Sequence, residues 1–172
     1  MSSQANSLPA VLISRCLLGE AVRYDGGARA LDESVLARLR NRARLVPVCP
    51  ELAGGLGVPR APAQIVGGTA RDVLAGRARV RTIEGEDVTP FFIAGGQQAL
   101  RLARAHGCRF ALLKEKSPSC GVHLVHDGTF SGHTVAGQGI AAAMLRAAGV
   151  RVFSEAETED LLRMLPVTPG AA

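Results

Sequence analysis

The sequence predicts an α/β fold, in which helices cover both faces of a mostly parallel β-sheet and a β-hairpin is added. Four short apolar runs alternate with segments of helical character, and this alternation is typical of parallel sheets because each crossover needs a helix. Each run is apolar almost throughout, as expected for a strand that is buried on both faces. The runs are VLISRCLL, ARLVPVCPE, CRFALLKE and VRVFS. Together they predict a Rossmann-like arrangement.

The first half of the chain predicts a β-loop-α-β unit that is followed by a long irregular segment. Residues 11–18 are the first strand candidate, and a Gly-rich loop leads from them to a helix. Asp32 can cap this helix, because its side chain can accept a hydrogen bond from the free N–H groups of the first turn. Residues 53–86 have no regular pattern apart from a short strand candidate, RVRTI. Excursions of this length in compact domains are usually functional loops or lids.

A long helix is predicted over residues 89–106, since Pro90 suits its first turn and Gly107 suits its end. Gly95 and Gly96 lie inside this helix, and each costs about 1 kcal/mol relative to Ala. We therefore expect this part of the helix to pack closely against a neighbouring element or a ligand.

The C-terminal third predicts a hairpin, two helices and the last strand. Alternating residues on both sides of Asp127-Gly128 are the strongest short hairpin signal. The segment QGIAAAMLRAAG predicts the first helix. Ser154 and Glu157 form a capping box for the second helix, which we expect to end near Leu165.

Length and composition indicate one globular domain. The chain has 172 residues, of which 47% are apolar and 20% charged, and this suffices for one hydrophobic core rather than two ordinary domains. We expect a flexible N-terminus over residues 1–10, a single domain over 11–166 and a frayed tail over 167–172.

Charge and aromatic content argue against a nucleic-acid partner. Aromatic residues make up only 3% of the chain, so platforms that stack single-stranded bases are not expected. The net charge of +5 comes mostly from dispersed Arg residues, which are typical of solvated helix faces and compatible with a small anionic ligand. We find no signal-peptide pattern and no apolar stretch of membrane-spanning length. The expectation is a cytoplasmic monomer or small homo-oligomer without a membrane partner or stable nucleic-acid binding.

Three of the four cysteines are predicted to meet at one edge of the sheet. Cys16 and Cys49 lie near the ends of the first two strands and Cys120 follows the third, so all three should reach the carboxyl edge. Cys108 precedes the third strand and should lie at the opposite edge. Cys16 alone is more typical of a small buried side chain, whereas Cys49 and Cys120 are less typical of a core, and three cysteines at one edge favour a shared metal site.

The residues alone leave the metal open, because thiolates suit both a zinc ion and an iron–sulfur cluster. His123, His126 and His133 could complete a zinc site, although histidines on hairpin arms are more typical of exposed side chains. His106, at a helix C-terminus, is more typical of a residue that interacts with the helix dipole. Three cysteines on a four-iron cluster would leave one iron open to a substrate.

Five segments of the chain resemble, in order, the motifs of one bacterial family. The family was first grouped as a domain of unknown function, and some of its members are thiouracil desulfidases. Cys-Pro-Glu and Ser-Pro-Ser-Cys-Gly are specific motifs among them. The five segments, which fall within residues 11–155, are LISRCLLGEAVRYDGG, VPVCPELAGGLGVPRAPAQI, GEDVTPFF, LLKEKSPSCG and HDGTFSGHTVAGQGIAAAMLRAAGVRVFSE.

The resemblance implies an oxygen-sensitive [4Fe-4S] cluster on Cys16, Cys49 and Cys120, with one open iron that takes the sulfur of a thiolated uracil. The implied reaction releases sulfide from 2- or 4-thiouracil, or from 4-thiouridine monophosphate, without net redox change. We expect Glu51 to be the general acid/base, since it follows Cys49 by two residues. Ser117 is expected to hydrogen-bond the base or the water, although a Ser before Pro is equally typical of a turn cap.

Charged loop residues near the same edge are candidates for substrate binding. Arg23, Asp25 and Arg60 are predicted to hold a ribose or a phosphate, and solvated loop charges are the alternative. The family usually has Glu where this chain has Gln64, and this departure removes a carboxylate. Relatives that act on transfer RNA carry an additional domain, so the expected substrate is a free base or a nucleoside monophosphate.

Two other functions would use the same three cysteines. One is a zinc-dependent hydrolase. The other is a non-catalytic iron–sulfur protein that senses redox state or sulfur supply, for which a fourth protein ligand on the cluster would be diagnostic.

Overall fold

The computed structural model describes residues 7–167. Eight strands and six α-helices are present in this part of the chain. In chain order they are β1 (Ala10–Ser14), α1 (Glu33–Arg42), β2 (Arg44–Val48), α2 (Pro50–Ala53), β3 (Ala63–Val66), α3 (Ala70–Leu74), β4 (Arg79–Thr82), α4 (Thr89–His106), β5 (Phe110–Leu113), β6 (Leu124–His126), β7 (Thr134–Ala136), α5 (Ile140–Ala147), β8 (Arg151–Ser154) and α6 (Thr158–Met164).

A four-stranded parallel sheet in the order β2-β1-β5-β8 confirms the predicted fold class. All five residues of β1 are buried. Leu12 belongs to a core cluster with residues of α4 and α5, whereas its neighbour Ile13 belongs to a cluster with residues of α1 and α6. Since successive side chains of a strand point to opposite faces, helices cover both faces of the sheet.

The first predicted strand is shorter than its apolar run. β1 ends at Ser14, and residues 15–18 form a 3-10 turn that Gly19 ends with a φ of 91°. Leu17 in this turn is as deeply buried as the strand. Hydropathy therefore could not mark the point at which the backbone leaves the sheet.

The segment that was predicted to be irregular contains a second, two-stranded sheet. β3 and β4 pair antiparallel, and α3 lies between them in the chain. Thr69 and Asp72 form a capping box at the start of α3, which is a signal in the sequence that could have revealed this helix. Ile65 and Val80 pack with Phe92 of α4 in a third core cluster, which joins this unit to the main sheet.

The predicted hairpin exists, but its connection is longer than a two-residue turn. β6 and β7 pair antiparallel, with Leu124 opposite Ala136, and residues 127–133 connect them. Asp127-Gly128 only begins this loop. The backbone N–H of Gly128 donates to the side chain of Gln64, 3.0 Å away, so that the loop is held against β3.

The predicted bounds of α4 and the capping box of Ser154 and Glu157 are confirmed. Parts of the expected flexible termini, residues 1–6 and 168–172, lie outside the described residues. β1 begins at Ala10, within the segment that was expected to be flexible. Within residues 7–167, none of the helices has the length and apolar character needed to cross a membrane.

Gly95 lets α4 contact α2, as the sequence predicted for this part of the helix. A Cβ on Gly95 would overlap the carbonyl oxygen of Pro50, the first residue of α2. A Cβ on Gly96 would meet the sulfur of Met144 at 2.5 Å, and this is the flexible end of a side chain that can move. The close contact at Gly95 fixes the start of α2, where Glu51 lies.

We expect Gly95→Ala to lower the free energy of unfolding by about 1–3 kcal/mol, because overpacking against a backbone outweighs the gain of about 1 kcal/mol in helix propensity. Gly96→Ala is the matched control and should be neutral or slightly stabilising. Urea unfolding of both variants measures the difference. Equal stabilities of Gly95→Ala and Gly96→Ala would contradict the proposed contact.

Candidate metal centre

Three cysteines line one cavity at the carboxyl edge of the parallel sheet. The cavity has a volume of about 630 Å³. Cys16 reaches it from the 3-10 turn after β1, Cys49 from the junction of β2 and α2, and Cys120 from the loop after β5. Cys108 instead precedes β5 and packs in the core with Ala103 of α4. All four cysteines are free thiols. Their positions, three on the cavity wall and Cys108 at the other end of β5, agree with the positions predicted from the strand order.

Burial makes the three thiols weak acids. It raises the pKa of Cys16 to about 11, and the negative charge that Cys49 would carry adds to this effect. It raises the pKa of Cys120 to about 12, although hydrogen bonds from Ser14 and Ser119 partly favour the thiolate. The pKa of Cys49 is raised by burial as well. Binding of a metal must therefore displace protons from all three.

The loop that carries Cys120 is held by its own serines. The Oγ of Ser117 accepts hydrogen bonds from the backbone N–H groups of Ser119 and Cys120, both at 3.1 Å. The hydroxyl of Ser119 is buried and donates to the Sγ of Cys120 at 3.6 Å. Ser117 lines the cavity, so it combines the turn-capping role with a position next to Cys120 on the cavity wall.

The N-terminus of α5 supports the same loop. The backbone N–H groups of Ile140 and Ala141 donate to the carbonyl oxygens of Pro118 and Ser119, both at 2.9 Å. A Cβ on Gly139 would overlap the backbone of Ser119, so only glycine permits this approach. Helix α5 thereby fixes the backbone position of Cys120.

Glu115 ties the start of the loop to the hairpin. Its Oε1 accepts hydrogen bonds from the backbone N–H groups of Val122, His123 and Leu124 at 2.7, 2.9 and 3.0 Å. The backbone N–H of Glu115 in turn donates to Glu155 at 2.7 Å. Burial alone would raise the pKa of the Glu115 carboxyl, but these backbone donors outweigh it and lower the pKa below its usual value.

We expect Glu115→Gln to lower the free energy of unfolding by about 1–2 kcal/mol at neutral pH, because hydrogen bonds to a charged acceptor are lost. A lowered folded-state pKa means that this stabilisation is present above the unfolded pKa of about 4.3 and is lost as the pH falls through the folded value. Urea unfolding between neutral pH and about pH 3 should therefore show the two proteins converging in acid. The exposed Glu84→Gln serves as the control. A difference that grows in acid would contradict this role.

Glu51 lies on the cavity wall in a largely buried ion pair with Arg60. The side chain of Glu51 is only 12% exposed and that of Arg60 only 10%. The Nε of Arg60 donates to Glu51 at 2.7 Å, and its two terminal nitrogens donate to the carbonyl oxygens of Gly57 at 3.0 Å and Val22 at 3.1 Å. The guanidinium group of Arg60 therefore donates its hydrogen bonds to protein acceptors and orients Glu51, although Arg60 also lines the cavity.

Of the other two predicted substrate residues, Arg23 lines the cavity and Asp25 does not. Arg23 lines the cavity, and its Nη1 is buried without a hydrogen-bond partner among the described residues. Asp25 is exposed on the loop and accepts a hydrogen bond from the backbone of Gly27 at 2.9 Å. Its Oδ2 is 3.7 Å from the Nη1 of Arg23, so Asp25 acts on the cavity only through Arg23.

A comparison with protein families tests whether the chain belongs to the family that its motifs resemble. The model of the 2-thiouracil desulfurase family matches residues 11–157. The chain belongs to this family.

Two similar proteins cover nearly the whole family domain. An uncharacterized protein of Bacillus subtilis (strain 168), YbbK, is 43% identical over 152 residues, which are 88% of this chain and 99% of that protein. A solved structure with 42% identity and a TM-score of 0.81 covers 91% of this chain and 97% of its own. That protein is TudS, described as a [4Fe-4S]-dependent thiouracil desulfidase.

The donor set at the cavity consists of three thiols, which are ligands that both an iron–sulfur cluster and a zinc ion accept. A zinc ion needs each sulfur ligand about 2.3 Å from one point, whereas the cysteines of a cluster bind different irons and stand farther apart. Within residues 7–167, no three His, Cys, Asp or Glu side chains form a group that could hold a metal ion.

Two cavity residues were not recognised as such from the sequence. His126, which the hairpin pattern placed among exposed side chains, lines the cavity and is half-buried. Gln64 is also on the wall, and its Oε1 accepts hydrogen bonds from the backbone N–H groups of Gly128 and Phe130 at 3.0 and 3.2 Å. His126 is placed by the pairing of β6 with β7, and Gln64 by the pairing of β3 with β4. The contact between the hairpin loop and β3 has no local signal in the sequence.

Proposed function

We propose that this protein is a [4Fe-4S]-dependent desulfidase that converts thiolated uracil compounds to uracil or UMP and releases sulfide. The observation that carries the proposal is the convergence of Cys16, Cys49 and Cys120 on one cavity that Glu51 also lines. Family membership and the similarity to TudS support it. A reducing cytoplasm would keep the three thiols available for iron.

Three cysteines would hold the cluster and leave room for substrate. When bound to Cys16, Cys49 and Cys120, the cluster would supply one open iron, a Lewis acid for the sulfur of the substrate. The cavity of about 630 Å³ beside the three cysteines provides space for a pyrimidine and a ribose phosphate.

Glu51 is the general acid/base in this proposal. Its carboxylate accepts a proton from the water whose oxygen bonds to the ring carbon, and the carbon–sulfur bond then breaks. The same carboxyl returns this proton to the departing sulfur and then carries the second proton from the added hydroxyl to that sulfur as the carbonyl forms, so that a thiocarbonyl and water give a carbonyl and hydrogen sulfide without an oxidant or reductant. Arg60 positions Glu51 through the hydrogen bond of 2.7 Å.

Arg23 and Ser117 are the proposed substrate-binding residues. The buried Nη1 of Arg23 can donate to an oxygen of the base, the ribose or a phosphate, and Asp25 holds the Arg23 side chain in place. The Oγ of Ser117 already accepts two backbone N–H groups, so its own proton is left to donate to Ser119 or to a ligand.

The proposal is tested with protein that has been reconstituted anaerobically with iron and sulfide. We expect absorbance at about 400 nm from sulfur-to-iron charge transfer, and sulfide release from at least one of 2-thiouracil, 4-thiouracil and 4-thiouridine monophosphate. One zinc per chain without this absorbance would favour the zinc hydrolase. A stable cluster with a fourth protein ligand and no sulfide release from any of the three would favour the sensor.

A further inference from the structure

Two buried polar atoms lack a hydrogen-bond partner among the described residues, and both belong to side chains on the cavity wall. They are the Nη1 of Arg23 and the Nδ1 of His126. Buried polar groups in folded proteins are nearly always paired, so an exception calls for a functional explanation. The Nη1 of Arg23 still has an ion-pair partner, the Oδ2 of Asp25 at 3.7 Å, whereas the Nδ1 of His126 is left for a ligand in the cavity to satisfy.

The backbone fixes the position of His126. This residue ends β6, where it pairs with Thr134 of β7. The neighbouring Val125 forms a bridge with Lys116 of the loop that carries Cys120. Just beyond His126, Gln64 holds Gly128 and Phe130. The imidazole is therefore presented by a segment that is anchored on both sides.

The other two hairpin histidines provide an internal comparison. The ring of His123 contacts Glu157 at 2.8 Å, and the ring of His133 contacts Ser131 at 2.8 Å. Both side chains are exposed and lie outside the cavity wall. Among the three, His126 alone combines a place on the cavity wall with an unpaired buried nitrogen.

We propose that His126 is a further substrate-binding residue, which hydrogen-bonds the edge of the pyrimidine ring. This inference rests on the proposed desulfidase function. The ring edge of a thiolated uracil carries both N–H donors and a carbonyl acceptor, and a neutral imidazole has one donor and one acceptor nitrogen. The ring edge can therefore satisfy His126 in either tautomer.

Two variants separate hydrogen bonding from the filling of space. His126→Leu keeps a side chain of similar width but removes both nitrogens, and His126→Asn keeps a polar atom near the position of Nδ1. We expect His126→Leu to raise the KM for the substrate that the wild type converts by about threefold to tenfold, as for the loss of one neutral hydrogen bond. His126→Asn should restore most of the affinity, with kcat changed less than KM in both variants. His133→Leu is the matched control and should equal the wild type.

A binding measurement and a spectroscopic one add readouts that are independent of turnover. Calorimetry with uracil should show the same loss of affinity in His126→Leu, and uracil added to the wild-type chain should shift the ring ¹⁵N resonances of His126 but not of His133. The inference would be overturned if His126→Leu had the KM and the uracil affinity of the wild type, or if saturating uracil left the His126 resonances unshifted. In either case, sulfide release by the wild type would leave the proposed function intact. A wild-type protein that releases no sulfide would overturn both.

Discussion

Replacement of Cys16, Cys49 or Cys120 by Ala is expected to abolish both cluster binding and sulfide release. These thiols reach the cavity from three different strand ends, and each would bind a different iron, so the loss of one leaves an incomplete ligand set. The three readouts after anaerobic reconstitution are iron content, absorbance at about 400 nm and sulfide release.

Cys108→Ala is the matched control for these variants. Cys108 is buried like Cys16 and Cys120, but it packs in the core at the other end of β5. Its loss should leave cluster and activity unchanged, apart from a modest change in stability. Full cluster and activity in any of the three cavity variants, or loss of both in Cys108→Ala, would contradict the assignment of ligands.

Glu51→Gln is expected to keep the cluster and lower kcat by about 100- to 10,000-fold, the range for loss of a general acid/base. The change removes the proton acceptor while it keeps the size of the side chain and one oxygen for Arg60. Steady-state sulfide release gives kcat, and iron content confirms that the cluster is still bound.

Two further variants separate a catalytic role of Glu51 from a structural one. Glu51→Gln leaves Arg60 buried without a charge partner, and this can lower stability, so urea unfolding is measured alongside activity. Glu51→Asp retains the charge and should lose less stability while it still loses activity. Glu86→Gln removes an exposed carboxylate from the same cavity and should remain within about threefold of the wild type, since exposed charges contribute little. A kcat for Glu51→Gln within the same range would rule out the proposed role.

The sheet was predictable because its strands are dictated by burial. β1, β2, β5 and β8 are short, mostly apolar runs between helices, and the central strands β1 and β5, which are covered on both faces, need such composition. The edge strand β2 exposes Arg44 and Pro47. The ends of α4 were predictable as well, because Pro90 and Gly107 are local signals. β3 was missed, since it is short and partly polar, and its pairing with β4 depends on the contact of Ile65 with α4.

The convergence of Cys16, Cys49 and Cys120 followed from the parallel sheet, because parallel strands bring their carboxyl ends to one edge. What could not be predicted depends on contacts between distant segments. The engagement of Arg60 with Glu51 joins helix α2 to the loop before β3, and sequence reasoning treated these two segments separately. The place of His126 on the cavity wall requires a hairpin loop held by Gln64, which Asp127-Gly128 alone did not indicate.

The central claim is that three thiols and one carboxylate support a non-redox removal of sulfur from a thiolated uracil. Its most direct test is the amount of uracil and sulfide that anaerobically reconstituted protein forms from 2- or 4-thiouracil, or of UMP and sulfide from 4-thiouridine monophosphate, without added oxidant or reductant. The proposed function predicts equal amounts of the two products over many turnovers with at least one of these substrates. Reconstituted protein that holds its iron and forms neither product from any of them would contradict it.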